Sequence, residues 1–75
     1  MPISIDDLKI IVARGGGAIL DAKKISSNDL KVLAGRACNS EAVITIKNPQ
    51  CISVNDLKVI ASRAEGRVIF DFFDV

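Results

Sequence analysis

The chain has 75 residues, enough for one small core, and its 49% hydrophobic and 25% charged content excludes intrinsic disorder. Ten Lys plus Arg against nine Asp plus Glu leave a formal charge of +1, so no electrostatic pull toward nucleic acid or an acidic membrane surface is expected. His is absent, which removes the commonest general base and metal ligand and points away from catalysis and from bound cofactors.

The chain opens with Met1-Pro2-Ile3-Ser4-Ile5-Asp6-Asp7, which carries acids where a signal peptide needs bases and an apolar run. No apolar stretch approaches the ~18 residues of a transmembrane helix. The expected setting is the cytoplasm, without a membrane segment. Ser4 before an apolar-periodic run predicts a first helix over 5–14. Gly15-Gly16-Gly17 stops it, and Ala18-Ile19-Leu20-Asp21-Ala22 reads as a strand.

The same order then recurs. Ser26 starts a second helix over 27–38, Cys38-Asn39-Ser40 ends it, and Ala42-Val43-Ile44-Thr45-Ile46 follows as a strand. Lys47-Asn48-Pro49-Gln50 is a loop, because Pro49 lacks an amide donor and restricts Asn48. Ser53 starts a third helix over 54–64, Glu65-Gly66 ends it, and Val68-Ile69-Phe70-Asp71-Phe72 is the last strand.

This recurrence is a sequence repeat. ISIDDLKIIVARG from Ile3, ISSNDLKVLAGRA from Ile25 and ISVNDLKVIASRA from Ile52 align without gaps over thirteen positions. Each unit carries its own helix-start signature. Ser4, Ser26 and Ser53 serve as N-caps, with Asp7, Asp29 and Asp56 three residues on to complete a capping box by reaching back to the cap amide. Ile3 with Leu8, Ile25 with Leu30 and Ile52 with Leu57 form hydrophobic staples. Three αβ units in one domain, at about 3–22, 25–47 and 52–73, predict an α/β fold. Parallel strands joined by helices cross over right-handedly. The expectation is a short right-handed solenoid, with a three-stranded parallel sheet and all helices on one side. Cys38 and Cys51 fall at opposite ends of one unit and are expected as reduced thiols.

A unit of this build resembles the leucine-rich repeat in its ribonuclease-inhibitor-like form, and Ile44-Thr45-Ile46-Lys47-Asn48 resembles that family's L-x-L and Asn segment. The likeness is one of architecture and implies a binding scaffold. The I-S-x-x-D-L-K unit is also similar to that of small uncharacterised bacterial repeat proteins.

Helical periodicity assigns Leu8, Ile11 and Val12, then Leu30, Leu33, Ala34 and Ala37, then Leu57, Ile60, Ala61 and Ala64 to the core. Ile10, Val32 and Val59 lie off that stripe. They either border the grooves between helices or form an apolar row rimmed by Arg14, Arg36 and Arg63. On the strands, Leu20, Ala22, Ile44, Ile46, Phe70 and Phe72 are expected to face the helices. The opposite face then carries Ile19, Val43 and Ile69 in one row and Asp21, Thr45 and Asp71 in the next, extended by Lys47 and Phe73. With every helix on one side, this face has no cover.

Those seven residues, Ile19, Asp21, Val43, Thr45, Ile69, Asp71 and Phe73, are the candidate interaction site. Asp21 and Asp71 could in principle form an acid–base pair, but no charge partner or burial sets their pKa values apart, and two carboxylates alone make a poor metal site. Gly15-Gly16-Gly17 follows a helix rather than leading into one, the reverse of a phosphate loop. The expected function is non-enzymatic protein binding, with self-assembly as a small structural protein as the alternative. The expected partner is a protein or a second copy, without nucleic acid, membrane, metal or cofactor.

Overall fold

The helix starts are set where the serines stand. The computed structural model of the chain describes residues 3–73. Ser4, Ser26 and Ser53 have extended backbone, and their hydroxyls accept from the amides of Asp7, Asp29 and Asp56 at 3.1, 3.2 and 3.2 Å. Helix α1 runs Ile5–Ala13, α2 Ser27–Ser40 and α3 Val54–Ala64. The reciprocal half of the expected capping box is replaced at Asp29, whose carboxylate takes the Ser26 hydroxyl at 3.1 Å and turns outward to Lys9.

Helix α2 outlasts its expected end by two residues. Its stop is Glu41, in the left-handed region at φ 62°, rather than the Cys38-Asn39-Ser40 segment. Ser40 instead stays helical and donates to the carbonyl of Val12 at 2.6 Å, tying the end of α2 to the end of α1. Glu65 ends α3 in the same left-handed way, at φ 49°. Gly17 is required by proximity, since a Cβ there would lie 2.8 Å from the Val43 carbonyl oxygen. Asn48, also left-handed, leads into a short 3-10 turn over Pro49–Cys51. Cys38 and Cys51 are free thiols, and Cys38 donates to Glu65 at 2.7 Å.

Three four-residue strands, β1 Ala18–Asp21, β2 Ile44–Lys47 and β3 Val68–Asp71, form a parallel sheet in the order β1-β2-β3. The register pairs Ala18 with Ile44 and Val68, Ile19 with Thr45 and Ile69, Leu20 with Ile46 and Phe70, and Asp21 with Lys47 and Asp71. Leu20, Ile44 and Ile46 are buried in one core with Leu8, Val12, Leu30, Leu33 and Ile60, and Ala18, Val68 and Phe70 pack against it. The alternate strand residues lie outside it. One sheet face therefore shares a core with the helices and the other is open.

Four core assignments change at the ends of the array. Ile11 is 42% exposed although its counterparts Leu33 and Ile60 are fully buried. Ala61 is exposed although Val12 and Ala34 are buried, and Leu57 is only half-buried. Position within the unit sets which way a side chain faces, and among the described residues the first and last units each pack against one other unit and the middle one against two. Phe72 is half-exposed beyond the end of β3 rather than in the core, though its ring stacks at a tilt on Phe70, 6.2 Å between centroids.

Candidate functional site

The open sheet face is built by strand alternation. With Leu20, Ile46 and Phe70 turned to the core, Ile19, Thr45 and Ile69 turn the other way and stand side by side across the three strands. Ile19 is 72% exposed and Ile69 55%. Branched apolar side chains suit a pleated strand, but this exposure withholds the burial that normally stabilises them there.

The expected rows are corrected by two residues on β2. Apolar Ala42-Val43 suggests that β2 starts at Ala42. The ladder begins at Ile44 instead, whose amide bonds the Arg67 carbonyl at 3.0 Å, because Ala42 is buried in the connection after α2. A slip of two keeps each side chain on its face but changes its neighbours. Val43 leaves the sheet and lies exposed before β2, and Thr45 takes its place between Ile19 and Ile69. Lys47 takes Thr45's expected place between Asp21 and Asp71.

That change alters the chemistry of the two carboxylates. Lys47 Nζ lies 3.3 Å from Asp71 Oδ2. Asp71 also accepts the Phe73 amide at 3.0 Å, and this bond, with Lys47, holds its carboxyl below the ordinary value of 3.8. Asp21 accepts from Asn48 Nδ2 and from the Lys23 amide, both at 2.9 Å, and these lower its pKa likewise. Sequence reading gave Asn48 no role at this site. Its left-handed backbone, immediately after β2, brings its amide to Asp21. A carboxyl serving as a general acid near neutral pH needs its pKa raised. Both of these move the other way and serve as fixed negative charges that close Asx turns after β1 and β3.

Phe73 is the most exposed large hydrophobic residue among the described residues, at 93%. It belongs to the turn after β3 rather than to the strand. The site therefore consists of the β-branched row Ile19-Thr45-Ile69, apolar at its two ends, and the charged row Asp21-Lys47-Asp71, with Val43 and Phe73 outside the ladder. On the helices, Ile10, Val32 and Val59 are each partly exposed, and each belongs to a helix whose buried residues lie on another side.

Among the described residues, no three potential ligating side chains cluster to hold a metal ion, no pocket opens, and no helix is long and apolar enough to cross a membrane. A scan against protein-family models finds no match, and searches of curated proteins and of solved structures find no significant one.

Proposed function

We propose that the chain is a non-enzymatic interaction module, a short right-handed solenoid of three αβ units that presents its open sheet face to a protein. The solenoid reading is supported by three like units whose strands follow one another in chain order and run parallel, since parallel crossovers are right-handed in about 98% of cases. The observation that carries the function is the exposed pair Ile19 and Ile69 on a parallel sheet. Parallel sheets ordinarily have both faces covered, and an apolar patch rimmed by charge marks an interaction surface. Asp21 and Asp71 stand among Lys23, Lys24 and Lys47, so the rim carries charges of both signs. The fitting partner is an apolar protein segment flanked by charged side chains of both signs, met in the cytoplasm, where Cys38 and Cys51 stay reduced.

The test is competition. A photo-crosslinking residue in place of Thr45 captures one discrete protein from the source cell. Unlabelled wild type displaces that protein, and the folded double variant Ile19→Ser, Ile69→Ser does not. Equal displacement by both contradicts the reading.

A second reading, self-association, is favoured by an ion pair that recurs between units.

A further inference from the structure

The joints between units are alike. Lys9 of the first unit reaches Asp29 of the second at 3.1 Å, and Lys31 of the second reaches Asp56 of the third at 2.8 Å. Lys9, Lys31 and Lys58 hold one repeat position, and Asp7, Asp29 and Asp56 another. Each unit thus offers a lysine forward and an aspartate backward. Asp29 and Asp56 are half-buried in these pairs, whereas Asp7 and Lys58, which close the series at its two ends, are exposed.

The apolar side chains follow the same rule. At the position of Ile11, Leu33 and Ile60, the side chain is buried wherever a unit precedes it and exposed in α1, where none of the described units does. At the position of Val12, Ala34 and Ala61, it is buried wherever a unit follows and exposed in α3. Val54, two helical turns before Ala61, is 65% exposed as well. One end of the array therefore shows Asp7 and Ile11, and the other shows Lys58, Ala61 and Val54. These are the two halves of the joint already made twice within the chain. Among the described residues the outer edges of β1 and β3 are likewise unpaired at these ends, and such edges are templates for another strand.

We propose that copies of this chain associate head to tail, the α3–β3 end of one copy receiving the α1–β1 end of the next, with Lys58 paired to Asp7 of that next copy. The occupant is a second copy because only another such unit supplies the aspartate, the apolar residue and the parallel edge at these spacings. The contact is heterologous, so it propagates rather than closing as a two-fold dimer. Continuing the strand register sets Asp71 beside Asp21 of the next copy. This like-charge approach opposes growth and keeps the association weak. The inference rests on the stacked-unit reading but leaves the open sheet face free, so assembly and partner binding succeed or fail separately.

The experiment is sedimentation of the 75-residue protein from micromolar to millimolar concentration, with Lys58→Glu and Asp7→Lys variants run alone and mixed. Wild type forms dimers and longer species, more weakly at high salt. Each variant alone sets like charges at the joint and associates at least about tenfold more weakly. The equimolar mixture regains association, because Lys58 of one variant meets Asp7 of the other and the reversed pair fills the alternate joint. Far-UV circular dichroism checks that each variant is folded. Asp7→Asn, which keeps the serine cap geometry, stands in if lysine disturbs the start of α1, and must also weaken association. A wild type that stays monomeric throughout, a folded variant that associates as wild type does, or a mixture no better than its components overturns the proposal.

Discussion

Lys47 Nζ lies 3.3 Å from Asp71 Oδ2, and Lys47 holds the strand position between Asp21 and Asp71. The lysine thus separates two carboxylates that would otherwise face each other across the end of the sheet. Lys47→Met removes it. The Asp71 pKa is then expected to rise, yet to stay below 3.8, because the Phe73 amide remains its principal partner. Carboxyl-carbon NMR titration of both proteins measures this, and an unmoved Asp71 titration would show that the pair does not persist in solution.

The serine caps account for where α2 and α3 begin. Ser26→Ala and Ser53→Ala each remove the acceptor for one helix-start amide, so each should cost about 1 kcal/mol. Ser26 also donates to Asp29, and its variant should be the more damaging of the two. Urea denaturation midpoints provide the comparison, and midpoints equal to wild type in both variants would remove the caps from the account.

Acid should unfold the protein through its paired aspartates. Lys9 foremost, with Ser26, holds the Asp29 carboxyl below 3.8, and Lys31 does the same for Asp56. A carboxyl with a depressed folded pKa contributes stability that is complete above its unfolded value and is lost as pH falls through the folded one. Stability should therefore decline below about pH 4. In the double variant Asp29→Asn, Asp56→Asn that decline should be shallower. Denaturant midpoints across pH test this, and parallel curves for the two proteins would contradict it.

Glu41 ends α2 at φ 62°, a left-handed conformation that glycine adopts without strain. Its ion pair with Arg67 is long, at 3.9 Å, and Glu41 is 80% exposed there. Glu41→Gly should consequently stabilise the protein by about 1 kcal/mol. Thermal denaturation decides the sign, and a lower midpoint would mean that the Arg67 pair outweighs the backbone strain.

Helix starts and strand order were legible in the sequence because each has a local chemical marker. Ser26 and Asp29 signal a cap wherever they stand, and a helix between two strands implies parallel neighbours. The sheet register had no such marker. It depends on the extra length of α2 to Ser40 and on the burial of Ala42 in the connection that follows, and neither is visible in an apolar run reading Ala42-Val43-Ile44. A shift of two residues left the faces intact, so Ile19, Thr45 and Ile69 were found on the open side while Val43 and Lys47 were misplaced. Exposure of Ile11 and Ala61 was equally hidden, since their repeat counterparts are core residues and only place in the array tells them apart. Asn48 stood out in the sequence only as a loop residue before Pro49 and as the Asn of a repeat-like segment, and its bond to Asp21 was hidden because it joins residues brought together only by the pairing of β1 with β2.

The open sheet face is the proposed binding surface. Amide NMR spectra of isotopically labelled protein, recorded while the protein captured at Thr45 is titrated in, test it most directly. The account predicts shifts concentrated at Ile19, Thr45, Lys47 and Ile69, with α2 and its exposed Val32 little changed. Shifts centred on Ile10, Val32 and Val59, with the β1–β3 amides unmoved, would contradict it.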